Sequence, residues 1–297
     1  MTRRVGSTPH GLEKAMPSIE VNGARVAYVE AGAGETVLLL HSSASTSAQW
    51  RPLTEILQAR WRVLAPDLYG YGQSDQRGRP ASAGLADEAA LADALLAANA
   101  ERVHLVGHSY GGAAALRFAA DRPERLLSLT LIEPVAFHLL RRAPGTGDDE
   151  LFHEVAVLAA GVTQAAAAGD GRRGMARFVD YWNGAGAWMR MRPDVQSALA
   201  LQTPRVALDF CAAMTDATRT EALRRIAAPT LILRGSESPR PTRRIAALIA
   251  QALPNARVQT IEGAGHMLPL THRDAVNGAI AEHLSCSTAV RPRPAAA

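Results

Sequence analysis

The sequence predicts an α/β fold: a doubly wound, mostly parallel sheet of eight strands, carrying a helical cap insertion. Three observations lead there. Short apolar runs alternate with helix-forming segments toward both ends of the chain, the pattern of β–α–β units. Two of those runs are dominated by apolar residues without charge: 37–40 is apolar at each position, and 126–132 is broken only by the small hydroxyls of Ser128 and Thr130, as strands covered on both faces are. Between about residues 135 and 225 the alternation stops, and helical periods with Gly/Pro punctuation take over.

In order, residues 1–17 read as a disordered arm. Strands at 19–21 and 25–30 flank Asn22-Gly23, a strong hairpin signal. A strand at 36–40 empties into His41-Ser42-Ser43, and a helix follows at 48–59. The strand at 62–66 leads into Asp67-Leu-Tyr-Gly70-Tyr-Gly72-Gln-Ser74, and 85–98 is an Ala-rich helix. The run Val103 to Val106 is a buried strand, and 113–120 a helix. The strand at 126–132 ends in Glu133-Pro134. After the insertion, strands at 229–233 and 257–261 alternate with helices at 241–252 and 273–284. Residues 285–297 read as a disordered tail. The core is thus 18–134 with 226–284, and the cap 135–225.

The 297 residues are 47% hydrophobic and 20% charged, which supports a large buried core. The formal net charge is +4, and Lys14 is the only lysine among 32 basic residues. No basic stripe is interleaved with aromatics, so nucleic-acid binding is not expected. Cys211 and Cys286 are too few for a disulfide framework. With no apolar leader and no membrane-length run, the expectation is a cytoplasmic protein without membrane partners. Its oligomeric state is left open.

The sharpest local signal is Gly107-His108-Ser109-Tyr110-Gly111, a G-x-S-x-G between a strand and a helix. A tight strand-to-helix reversal pushes the apex hydroxyl of Ser109 outward, and glycines on either side let the chain segments approach. Serine needs a base to act as a nucleophile. Of nine histidines, His266 is the candidate, in the short loop Glu262-Gly-Ala-Gly-His266 after the last strand. His41 and His108 lie beside the site with structural roles expected, and His41 is also counted among possible pocket residues.

With His41 at the end of the third strand, Asp67-x-x-Gly70-x-Gly72-x-Ser74, the elbow at Ser109 and Gly-x-Gly-His266 in this order, the chain resembles the α/β-hydrolases. The likeness is to their cap-bearing serine members, small carboxylesterases among them, over roughly residues 19–284. The resemblance implies an oxyanion hole from the backbone N–H groups of Tyr110 and Ser43, with Asp67, Gly70, Gly72 and Ser74 bracing a loop. Related enzymes place an acid after the seventh strand, where Ser238 stands here beside Glu237; some dehalogenases place it after the sixth, where Glu133 stands. Glu133 is favoured as the partner of His266, Glu237 is the alternative, and Asp67 is a weaker one. The cap would supply a pocket wall from Phe137, Trp182 and Trp188, with Phe178, Tyr181 and Phe210 nearby.

The expected activity is hydrolysis of a small, fairly apolar carboxylic ester through an acyl-enzyme, with no metal or cofactor and a small molecule as the only partner. Carbon–carbon bond hydrolysis and cofactor-free perhydrolysis need the same triad and stand as alternatives, as does a non-enzymatic ligand receptor on this fold.

Overall fold

A computed structural model describes residues 16–76, 84–97, 102–142 and 147–289. Eight strands form one sheet: β1 (Ser18–Val21), β2 (Ala24–Ala31), β3 (Thr36–Leu40), β4 (Arg62–Pro66), β5 (Val103–His108), β6 (Leu126–Ile132), β7 (Thr230–Gly235) and β8 (Ala256–Ile261). Their order across the sheet is β1-β2-β4-β3-β5-β6-β7-β8. β1 with β2 and β2 with β4 pair antiparallel, and every other pairing is parallel. The hairpin at Asn22-Gly23 turns with φ of 53° and 75°, the positive values that a two-residue turn between twisted strands requires.

Successive residues of β3 face opposite layers. Leu38 and Leu40 join the core that includes Leu91, Leu116, Phe118 and Ile245; Val37 and Leu39 join the one with Leu53, Leu57, Val276 and Ile280. The helices Leu85–Ala97, Tyr110–Asp121 and Arg240–Ala252 therefore cover one face, and Arg51–Leu57 and Arg273–Ala289 the other. Burying each such leucine stabilises the fold by about 1.5–3 kcal/mol relative to leaving it exposed. Leu40 pairs with Gly107, His108 with Ile132, Ile132 with Leu233, and Gly235 with Ile261. That register ends the central strands level, so the loops that follow them emerge at one rim of the sheet.

Between β6 and β7 the described residues are helical, with Asp148–Ala167, Gly171–Asn183, Pro193–Ala200 and Thr203–Thr215 as the longest elements. The helix expected at 48–59 is a 3-10 turn, Ser47–Trp50, running into Arg51–Leu57.

Two boundaries differ from the sequence reading. The expected disordered tail does not begin at 285, because the last helix continues to Ala289. Ser285, Ser287 and Thr288 bond their hydroxyls back to the carbonyls of Ala281, His283 and Leu284, so residues that would otherwise end a helix stay in it. Residues 290–297 lie outside the described residues, as do 1–15 of the expected arm. Pro17, at the arm's other end, belongs to the sheet edge, where its carbonyl accepts from Tyr28 N–H at 2.9 Å. Among the described residues, no helix is long and apolar enough to cross a membrane.

Candidate active site

Ser109 sits between β5 and the helix Tyr110–Asp121, with φ 55° and ψ −115°. A left-handed φ is costly for a residue with a Cβ, and here it aims the side chain off the end of the sheet. A Cβ on Gly107 would strike the Gly111 carbonyl, and one on Gly111 would strike the carbonyls of Leu40 and His41. The two glycines are what let strand, helix and neighbouring loop cross this closely.

His266 Nε2 lies 2.9 Å from Ser109 Oγ, across 157 positions of sequence. On its other side Nδ1 lies 3.3 Å from Glu133 Oε2. Glu133 is fully buried, also holds a positive φ (47°), and accepts from Gly235 N–H at 2.8 Å through Oε1. Burial pushes its carboxyl up, but His266, Ser238 and the Gly235 amide outweigh that and hold it below the ordinary carboxylate range. Glu237, the alternative, is exposed and has no part in this chain of contacts. Trp182, from the helical insertion, stacks on the His266 ring with centroids 4.0 Å apart, which fixes the plane of the imidazole and keeps water from its face.

The two neighbouring histidines are buried and serve as braces. His108 Nε2 donates to the His266 carbonyl at 3.0 Å, while its Nδ1 faces the Gln49 amide nitrogen at 3.2 Å. Gln49 Oε1 in turn accepts from Ser42 N–H and Oγ, so one run of hydrogen bonds joins the loop after β3 to the loop after β8. His41 accepts from Leu68 N–H at 2.9 Å, and its Nδ1 donates to the Ser42 carbonyl at 2.7 Å. Asp67 takes Ser47 N–H on one oxygen and Gln73 N–H on the other, and Ser74 bridges Asp67 to Ala27. These residues brace a loop, as the sequence implied.

Beyond Ser42, the Ser43 hydroxyl donates to Asp209 Oδ2 at 2.6 Å, and Tyr71 donates to the same oxygen at 2.5 Å. Burial, followed by the Asp209 charge, pushes the Tyr71 phenol well above its ordinary value. Arg205, one helical turn before Asp209, pairs with Asp209 at 2.5 Å and with Glu88 at 3.1 Å, and reaches the Tyr110 hydroxyl at 3.3 Å. All three charged side chains are at least 97% buried. The guanidinium also lies over the rings of Tyr71 and Tyr110, at 5.3 and 5.6 Å. Sequence reasoning missed this cluster. An Arg and an Asp four apart on a helix read as a solvent-facing pair, and neither points to Glu88 or Tyr71 a hundred positions upstream.

Two cavities meet at Ser109. A narrow one, with about 10 Å³ of free space, is lined by Ser43, Tyr110, Phe137, Val206, Asp209 and Phe210 among others. A larger one of about 270 Å³ is lined by His266 and by Met175, Met191, Leu199, Met267 and Leu270. Ser43, Trp182 and Phe178 line both. Of the residues expected in a pocket wall, Phe137 and Trp182 line a cavity at Ser109, whereas His41 and Trp188 line neither of these two. His41 is spent on Leu68 and Ser42. Trp188 is buried within the insertion, with Arg172 over its ring and its backbone N–H donating to Asp180 Oδ1.

Fold and site together define the class. The chain belongs to the alpha/beta hydrolase family, whose sequence model matches residues 37–279. A 2-hydroxy-6-oxo-6-phenylhexa-2,4-dienoate hydrolase from Comamonas testosteroni is 38% identical over 111 residues, 36% of this chain and 39% of that protein. A haloalkane dehalogenase from Mesorhizobium japonicum is 40% identical over 118 residues, 39% of this chain and 37% of that one. The matches span about two-fifths of the length of these curated relatives. Among solved structures, an enol-lactonase from Burkholderia xenovorans superimposes with a TM-score of 0.70 at 21% identity, covering 91% of this chain and 100% of that one. An esterase from Exiguobacterium antarcticum gives 0.72 at 20%, covering 91% and 99%. At such identities these two likenesses are of fold.

Proposed function

We propose that the protein is a serine hydrolase that cleaves carboxylic esters through an acyl-enzyme. The Ser109 Oγ–His266–Glu133 chain of contacts is the observation that supports this most. In the proposed cycle Oγ attacks the ester carbonyl carbon and its proton passes to His266 Nε2. The backbone N–H groups of Ser43 and Tyr110 receive the negative oxygen. The carbon–oxygen bond to the alcohol then breaks, and Nε2 returns the proton to the leaving oxygen. Water replaces the alcohol, gives a proton to Nε2 and attacks the acyl carbon. The acid departs as Ser109 regains its proton. Glu133 holds the imidazole in the tautomer with its proton on Nδ1 and offsets the charge of the imidazolium. Protein groups and water suffice for every step.

Among the reactions named for the relatives, two fit less well. Dehalogenation through an alkyl-enzyme ester needs a carboxylate nucleophile, and the elbow carries Ser109. A dienoate substrate brings its own carboxylate, yet among the described residues no Arg or Lys lines either cavity and Asp209 lines one of them. An uncharged ester suits both better. The direct test is turnover of p-nitrophenyl acetate by wild type and by Ser109→Ala. The expected loss is about a million-fold; equal turnover by the two proteins would overturn the reading.

A further inference from the structure

We infer that the site is built for esters joining a short, uncharged acyl group, about acetyl in size, to a bulky apolar alcohol. The inference rests on the serine-hydrolase reading of Ser109 and His266, and it assigns each half of the substrate to one of the two cavities that meet at the nucleophile.

Chemistry fixes the assignment. The leaving oxygen must take its proton from His266 Nε2, so the alcohol has to lie on the imidazole side of Ser109. The cavity of about 270 Å³ is the one His266 lines, and Leu270 at its wall is 48% exposed, so that side also leads outward for a departing product. Its apolar lining of Met175, Met191, Leu199 and Met267 suits a ring or branched chain, and methionine adapts to irregular shapes. The acyl substituent is left with the other cavity, which Tyr110 lines and His266 does not. At about 10 Å³ against about 270 Å³ on the imidazole side, it is much the tighter of the two. A methyl fits there with slight adjustment, whereas two or more added methylenes would have to displace packed side chains.

Those side chains are poorly placed to yield. Phe210 stacks on Phe137 with centroids 6.0 Å apart and meets Phe178 edge-on at 6.0 Å, and Val206 is fully buried one turn earlier on the same helix. Asp209 stands in the same wall, held by Ser43, Tyr71 and Arg205. Its charge disfavours an acyl group that carries a carboxylate.

Two substrate series test this with the wild-type protein. In the first, the leaving group stays p-nitrophenol while the acyl group grows from acetyl to butanoyl and hexanoyl; kcat/KM should fall by about tenfold or more per step. In the second, the acyl group stays acetyl while ethanol is replaced by 2-phenylethanol, an alcohol of similar basicity; kcat/KM should rise by about tenfold or more. Phe210→Ala should restore hexanoate turnover relative to acetate, and Val206→Ala should do so more weakly if the first variant fails to fold. Hexanoate cleaved as fast as acetate, with no gain from the larger alcohol, would overturn the assignment while leaving the nucleophile in place. Absence of fluorophosphonate labelling at Ser109 would instead overturn the serine reading beneath it.

Discussion

The Ser43 hydroxyl donates a 2.6 Å hydrogen bond to Asp209, 166 positions away, and so ties the loop after β3 to the helix Thr203–Thr215 of the insertion. The proposed second oxyanion donor is the backbone N–H of that same serine. Arg205 on that helix also reaches the hydroxyl of Tyr110, whose N–H is the proposed first donor. Both donors are thus steadied from one side of the insertion. Asp209→Ala should lower kcat by about tenfold to a hundredfold with KM little changed, because donor geometry matters most in the transition state. Asp209→Asn, which keeps an acceptor, should recover part of it. Steady-state kinetics of the two variants, with a KM effect as large as the kcat effect, would place Asp209 in substrate binding instead.

Arg205 offsets two buried carboxylates, Glu88 and Asp209. Removing one partner of a buried ionic group leaves uncompensated charge, at a cost of about 3–5 kcal/mol. Arg205→Met should therefore lower the urea midpoint far more than Arg192→Met, whose exposed pair with Asp194 contributes little. Equal effects in the two unfolding curves would show that the cluster does not hold the insertion to the core.

The acid assignment separates cleanly by substitution. Glu133→Gln keeps the shape but loses the charge that orients His266, and kcat should drop by about ten-thousand-fold. Glu237→Gln, at an exposed position, should leave kcat within about twofold. The opposite ranking in a p-nitrophenyl ester assay would move the acid to the loop after β7.

Acid should weaken the fold before it protonates most carboxylates. His108 and His41 are fully buried, and burial holds them down to about 3 and about 4. In the unfolded chain both take protons near 6.5. Between that value and their folded values the unfolded chain binds more protons, so stability rises with pH across this window and is lost as pH falls through it. The two together should remove several kcal/mol (~1.4 per pK unit). Glu133, whose folded value is depressed, adds a loss of the same sign further down. Urea unfolding at about pH 7.5 and about pH 5 measures this, with a shallower dependence expected for His108→Gln. A stability that holds level or climbs toward acid would contradict it.

Much of this architecture could be read before any coordinates, because the signals were local. Residues 37–40 are apolar at every position and 126–132 carry no charge, with only Ser128 and Thr130 polar, and the glycines around Ser109 are needed by a crossing that only a reversal of this kind makes. His266 could be read from its Gly-flanked loop. Glu133 and Glu237 could not be separated with certainty, since both follow strands that end at the same rim; the difference is one of side-chain direction, buried against exposed. Trp188 lines neither cavity at Ser109 for a similar reason. Six positions along from Trp182, it belongs to a separate short helix, Ala187–Arg190, and turns into the insertion. Asp209 was beyond reach because, besides Arg205 on its own helix, its partners Ser43 and Tyr71 come from two segments more than 130 positions upstream.

The central claim is that Ser109 carries the covalent step with His266 as its base. Intact-protein mass spectrometry after a fluorophosphonate, with peptide mapping, tests it most directly. One adduct per chain is expected at Ser109, none in Ser109→Ala, and labelling slowed by about a hundredfold or more in His266→Ala. An adduct on another residue, or equally fast labelling without the imidazole, would contradict it.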